Sequence, residues 1–154
     1  MNRWGMGTML YRGTILYALL AILYDTILIG HFCDRLVPER LALAVGGTLV
    51  LLGLVLYTLG VFAVYAAVDA RQLATRGVYG VLRHPLYAAW VWCLVPGFAL
   101  LQGTPLTLGA PVVAAILYRL CIPHEEAELR RVFGQAYDRY RERVGGIVPR
   151  WCRP

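Results

Sequence analysis

Two short stretches hold the residues best suited to chemistry: Arg83-His84-Pro85 and His124-Glu125-Glu126. An arginine beside a histidine can meet an anionic group, and a pair of glutamates can accept hydrogen bonds from an ammonium or hydroxyl. His84 and His124 are 40 residues apart, so these stretches make one site only if the fold brings them together. The four cysteines (Cys33, Cys93, Cys121, Cys152) show no CxxC or other metal-ligand spacing. They predict neither a disulfide framework nor a metal site.

The elements that would position these groups belong to a membrane. Of 154 residues, 59% are hydrophobic and only 16% are charged, well below the roughly one quarter usual in soluble domains. Four apolar runs stand out: Thr14 to Gly30, Leu41 to Val68, Leu86 to Leu101 and Leu106 to Ile122. The second would make about 42 Å of helix against a hydrocarbon core of about 30 Å, so it must tilt or project. The last two contain Pro96 and Pro111, which membrane helices tolerate where neighbouring groups satisfy the freed backbone. Gly46, Gly47, Gly53 and Gly60 in the second run are expected to allow close helix approach, and Gly53 and Gly60, seven residues apart, lie on one face. The first run lacks a small-x-small cleavage pattern and is expected to stay as a membrane helix. Within it, Asp25 is expected to pair with a tyrosine or an arginine.

The arginines set the orientation. There is no lysine, which reads as codon bias in a GC-rich genome, and 13 of the 15 arginines fall on one side if four spans leave both termini in the cytoplasm. The positive-inside rule favours that arrangement, with a prokaryotic inner membrane as the expected location. The net charge of +6 sits beside apolar runs, so membrane lipids rather than nucleic acid are the expected partners. After Pro123 the pattern becomes amphipathic, predicting a helix from His124 to about Val144. Leu129, Val132, Phe133, Ala136, Tyr137, Tyr140 and Val144 would make one apolar face. Arg130, Arg131, Asp138, Arg141 and Glu142 would make the other. Glu125, Glu126 and Glu128 would occupy its first turn. This helix either lies on the membrane surface or folds back over a site.

Only Gln102-Gly103-Thr104-Pro105 separates the third run from the fourth, so the two form an antiparallel hairpin. The hairpin brings the start of one beside the end of the other, and with them Arg83-His84 beside Glu125-Glu126. Polar groups at that depth are costly and read as functional.

Several stretches in order resemble the isoprenylcysteine carboxyl methyltransferase and phospholipid methyltransferase superfamily. They are Leu73-Ala74-Thr75-Arg76-Gly77-Val78-Tyr79, Arg83-His84-Pro85-Leu86-Tyr87, Glu125-Glu126, Phe133-Gly134-Gln135-Ala136-Tyr137-Asp138-Arg139-Tyr140 and Val148-Pro149. The resemblance covers about residues 71 to 150. It implies an all-α polytopic membrane protein, with residues 1–70 as two transmembrane helices and 71–154 as the cofactor-binding half. It also implies S-adenosylmethionine as methyl donor and a lipophilic or lipidated acceptor reached from the bilayer. Cofactor contacts carried over are Leu73, Ala74, Tyr79, Arg83, His84, Pro85, Leu86, Tyr87, Glu125 and Glu126.

The acceptor atom stays open at this point: carboxylate, amine or thiol. An amine would need to lose a proton, for which Glu126 or His124 is the candidate. The chain carries Arg71 and Cys121 where the eukaryotic members of the resembled family have a histidine and an arginine. Two other readings also stay open. One is a membrane reductase of the sterol type using a nicotinamide cofactor. The other is a non-catalytic or haem-binding subunit with His84 and His124 as ligands.

Overall fold

The computed structural model describes residues 7–27, 36–70 and 72–150. The described residues are helical with short connections. Helix α1 spans Gly7–Ile27. Helix α2 starts as Glu39–Leu41, passes through a π-helical stretch Ala42–Gly46 and continues as Gly47–Asp69. After the 3-10 turn Gly77–Gly80, helix α3 runs through Pro85–Ala88, the π-helical Ala89–Leu94 and Val95–Gln102. Thr107–Gly109 then leads into α4, Ala110–Phe133, and α5 is Gln135–Arg143. Three helices are long and apolar enough to cross a membrane: Glu39–Ala67, Pro85–Gln102 and Thr107–Phe133. The protein is therefore an all-α polytopic membrane protein.

The first expected span corresponds to α1, which begins earlier than the apolar run and takes Arg12 inside the helix. Its 21 residues make about 31 Å, close to the thickness of a hydrocarbon core. Gly13 lets it close on α4, since a Cβ there would lie 2.8 Å from a Leu117 methyl. Leu10 is fully buried against Tyr87 and Cys121. Among the described residues Asp25 does not find the tyrosine or arginine expected of it: neither carboxylate oxygen has a hydrogen-bond partner there. Tyr17 instead gives its hydroxyl to the Leu106 carbonyl at 3.0 Å. His31 and Arg71 lie outside the described residues.

Helices α2 and α3 meet along a seven-residue glycine repeat. Cβ atoms built on Gly46, Gly53 and Gly60 would collide with Gly97 O, the Leu94 and Cys93 side chains, and Leu86 respectively, at 2.8 to 2.9 Å. Gly46, Gly53 and Gly60 thus make the close approach expected of them, but Gly47 does not: a Cβ there meets nothing within 4 Å, because a position one residue further round the helix faces away from α3. Pro96 lacks the N–H an α-helix would need, and the chain answers with the wider π-helical turns at Ala89–Leu94 just before it.

The hairpin between α3 and α4 forms as the sequence requires. Gly103 adopts the left-handed conformation (φ 72°) that ends α3, and its carbonyl accepts from Leu36 N at 2.9 Å. Beyond it, the Thr104 and Thr107 hydroxyls bond each other at 2.8 Å and cap each other's backbone N–H groups.

The separate amphipathic helix expected from His124 to Val144 does not form. Helix α4 runs straight through Pro123 to Phe133. Pro123 and Arg119 are both exposed, so the carbonyl whose partner Pro123 removes can be solvated. The break comes at Gly134, whose φ of 52° and ψ of −131° suit glycine alone. The expected apolar stripe is divided accordingly. Tyr137 and Tyr140 are buried, but Val132 is 62% exposed and Ala136 is exposed. Glu125, Glu126 and Glu128 lie in the body of a long helix, so a helix-dipole role for them does not apply.

Helix packing predicts opposite outcomes at neighbouring glycines. Gly53→Val should lower stability by about 1–3 kcal/mol through overpacking. Gly47→Ala should raise it by roughly 0.5–1 kcal/mol through helix propensity. Thermal unfolding in detergent would measure both, and an equal loss at the two sites would contradict the packing described. Gly134→Ala should cost about 1–3 kcal/mol through backbone strain alone, although a Cβ there would touch nothing within 4 Å.

Candidate functional site

The site begins with the dipeptide His84-Pro85. A residue before proline is pushed out of the helical region, and His84 adopts φ −127°, ψ 62° as the N-cap of α3, with Pro85 at the helix start. The chain enters this turn as an extended strip tied to the C-terminal segment. Leu82 pairs in parallel with Gly145, Arg83 N donates to Gly145 O at 2.7 Å, and His84 N donates to Gly146 O at 3.2 Å. Gly145 admits no side chain, since a Cβ would lie 2.0 Å from Val148 O. The terminal segment is thus a clamp on the motif. The Tyr140 hydroxyl fastens it again by donating to Tyr79 O at 2.6 Å. Burial pushes the Tyr140 phenol up to about 12, so it keeps this proton throughout the neutral range.

Arg83 and Glu126 form the centre. The guanidinium side chain is 10% exposed and its Nη2 lies 2.7 Å from Glu126 Oε1. Its Nη1 donates to the carbonyls of Arg141 at 2.8 Å and Val144 at 3.1 Å, which are orphan acceptors at the C-terminal end of α5. Arg83 Nε is buried without a partner. Glu126 also meets His84 Nε2 at 3.3 Å and Arg141 Nε at 3.2 Å, so three basic side chains converge on one carboxylate.

Glu125 has a different setting. Tyr87 donates its hydroxyl to Glu125 Oε2, while Oε1 stands 3.9 Å from His84 Nδ1. The side chain is 32% exposed, against 14% for Glu126. Successive residues on a helix point about 100° apart, which is why the pair divides between two environments. Around them lies an aromatic wall. His84 and Tyr87 have ring centroids 5.8 Å apart, Tyr87 and Tyr118 6.0 Å, and Tyr11 packs edge-on against Trp90 at 4.9 Å.

The expected site residues separate into groups. Arg83, His84, Tyr87, Glu125 and Glu126 come together directly. Tyr79 joins them from the 3-10 turn; its phenol is raised by burial first, then by Tyr140 and Glu125. Leu73 and Ala74 are half-buried in the extended stretch leading to that turn. Pro85 and Leu86 lie against Gly60 of α2. His124 is exposed, whereas His84 is 4% exposed and lies beside both glutamates. They do not present a shared pair of haem ligands.

Sequence reasoning missed Arg141, Tyr118 and the backbone of residues 144–146. Arg141 is exposed, as expected of the polar face, but its Nε also reaches Glu126.

Truncating the hub should cost more than truncating its neighbour. Glu126→Ala leaves converging basic groups unpaired at a half-buried site and should lose about 3 kcal/mol of stability. Glu125→Ala should lose about 1 kcal/mol, the worth of one hydrogen bond. Urea or thermal unfolding in micelles would rank them, and the reverse order would dismiss Glu126 as the organising group.

Part of the chain is similar to known proteins. A rice protein named "Probable protein-S-isoprenylcysteine O-methyltransferase" (Oryza sativa subsp. indica) is 34% identical over 83 residues, covering 53% of this chain and 42% of the relative. Arabidopsis thaliana "Protein-S-isoprenylcysteine O-methyltransferase B" is 33% identical over 89 residues, covering 53% and 41%. The Tribolium castaneum "Protein-S-isoprenylcysteine O-methyltransferase" is 35% identical over 78 residues, covering 50% and 27%. The matched region thus spans less than half the length of these relatives. A family model matches residues 40–131, which include most of α2, all of α3 and both glutamates. On that match, the chain belongs to the isoprenylcysteine carboxyl methyltransferase (ICMT) family.

Proposed function

We propose that this protein is an integral-membrane methyltransferase that uses S-adenosylmethionine and acts on a lipophilic acceptor, in the manner of the isoprenylcysteine carboxyl methyltransferases. The observation that carries the reading is the convergence of Arg83, His84 and Tyr87 on two adjacent carboxylates, the enclosed Glu126 and the more accessible Glu125. The family description, isoprenylcysteine carboxyl methyltransferase, supports a prenylated cysteine carboxylate as the acceptor class.

The residues present fit such a cofactor. It brings an ammonium, a carboxylate, ribose hydroxyls and a sulfonium. Against these the site offers the accessible Glu125 carboxylate, the unpartnered Arg83 Nε–H and a set of aromatic rings. Glu125 would accept from the ammonium or ribose hydroxyls, and Arg83 with His84 would meet the carboxylate. Tyr79 and Tyr87 would flank the cationic or aromatic portions. Leu73 and Ala74 would contribute backbone groups. When bound, the cofactor supplies an electrophilic methyl group. A carboxylate or thiolate acceptor then needs alignment and exclusion of water rather than a general base.

The same geometry supports the proposed topology. Leu10 and Tyr11, near the start of the described chain, pack beside Tyr87, and the C-terminal clamp sits on the same cluster. Both ends of the described chain therefore lie at the charged end of the bundle. Arginine placement assigns that end to the cytoplasm, where the cofactor is dissolved.

The decisive measurement is equilibrium binding of S-adenosylmethionine to the purified protein in detergent. Glu125→Gln and His84→Ala should each weaken it about tenfold or more, in keeping with loss of a charge-assisted contact. Leu86→Val, on the packing side, should leave it near the wild-type value. Wild-type binding in both site variants would remove the pocket. Transfer of labelled methyl to a prenylated cysteine bearing a free carboxylate, but not to its ester, would identify the acceptor.

A further inference from the structure

The end of the bundle opposite the charged cluster holds a second polar site. A cavity of about 90 Å³ is lined by Ile22 and Asp25 of α1 and by Gln102, Thr104 and Thr107 of the α3–α4 turn. Both carboxylate oxygens of Asp25 are shielded from solvent and without a hydrogen-bond partner. A buried carboxylate in that condition is costly, and membrane proteins keep such groups where something pairs with them.

We propose that this cavity binds a primary ammonium group, with Asp25 as its counter-ion and the Gln102 amide oxygen as a further acceptor. The site and its ligand stand apart from the methyltransferase reading.

The chemistry of the lining favours an ammonium over a metal ion. The Thr104 and Thr107 hydroxyls are already committed to each other and to Thr104 O, Thr104 N and Thr107 N. Tyr17, the nearby phenol of α1, is held by Leu106 O. The oxygens left to a ligand are those of Asp25 and Gln102, too few for a cation that seeks six or more. They match the donors of an R–NH₃⁺ group, which can share its remaining hydrogen with water. A volume of about 90 Å³ corresponds to roughly three waters, room for an ammonium and its first carbons. A trimethylammonium has no N–H to give.

The source of the group is either a free amine or the headgroup of an aminophospholipid, since the cavity opens at the end of the helices. Both belong to the same recognition chemistry, and the experiment separates them. The full chain is placed in phosphatidylcholine nanodiscs, alone, with added ethanolamine, with added choline, or with part of the lipid replaced by phosphatidylethanolamine, and thermal unfolding is followed. A ligand about 100-fold above its Kd should raise the melting temperature by roughly 5 °C. A rise with ethanolamine identifies a soluble amine; a rise with phosphatidylethanolamine alone identifies the lipid headgroup. In either case Asp25→Asn, nearly isosteric, should abolish the rise, and choline should give none.

The proposal is overturned if neither amine shifts the wild type, if choline shifts it equally, or if Asp25→Asn keeps the shift. It is also overturned if Arg35→Gln destabilises the wild type while leaving Asp25→Asn unaffected. That coupling would mean the carboxylate is neutralised by the chain's own arginine.

Discussion

The contact between Arg83 and Glu126 is the constraint on which the charged end of the molecule depends. One guanidinium joins three parts of the chain: the turn before α3, the end of α4 and the C-terminus of α5. Its planar fork makes this possible. Nη2 takes the carboxylate while Nη1 takes two carbonyls that α5 would otherwise leave open. An ammonium is a point charge without that geometry. The Arg150 guanidinium repeats the device on a smaller scale, donating to Glu142 O at 2.5 Å. Helix ends near a bilayer surface are thus closed by side-chain cations, and the same cations fix where the glutamates stand.

From this follows a division of labour between adjacent acids. Glu126 is fully engaged by Arg83, His84 and Arg141, and its contribution is to hold the turn, the long helix and the clamp in one arrangement. Glu125, turned about a third of a revolution away, has one oxygen held by Tyr87 and the other open. A group that receives a ligand needs unspent hydrogen-bonding capacity and a fixed position, and Glu125 has both. A site made of two equally exposed glutamates would have neither.

What the sequence made legible was whatever depended on long periodic patterns or on chain connectivity. The apolar runs, the glycine face at Gly53 and Gly60, and the four-residue bend at Gln102–Pro105 each carry their own physical reason, and the juxtaposition of His84 with Glu125 and Glu126 follows from the bend. What escaped was decided by one residue at a time. Pro123 looks like a helix boundary, yet the cost of its missing N–H is small where the freed carbonyl meets solvent. Gly134 looks like part of an amphipathic pattern, yet its backbone angles end the helix. Arg141 is exposed, as its place on the polar face requires, yet its Nε also reaches Glu126 at 3.2 Å, a contact that no periodic pattern announces. The clamp at 144–146 was illegible for another reason: it acts through backbone groups, which every sequence has.

The two interfaces of the bundle also explain why the polar cluster sits at a helix end rather than in the middle. Between α2 and α3, glycines at every seventh position bring the backbones together and leave no room for a ligand. Between α1 and α4, Leu10, Cys121 and the Leu117 contact with Gly13 fill the space with apolar atoms. Interfaces packed in that way leave polar sites to the helix ends, where backbone and side-chain groups are available to define them. Where α4 continues past its apolar portion it carries Glu125 and Glu126 out to the helix start at Pro85, and the cluster can form without burying a charge among lipid chains. The continuation of α4 through Pro123 is thus what lets a small, tightly packed bundle hold ionised groups in fixed positions. A helix that ended at Pro123 would leave the two acids on a separate element, with no rigid connection to the histidine they face.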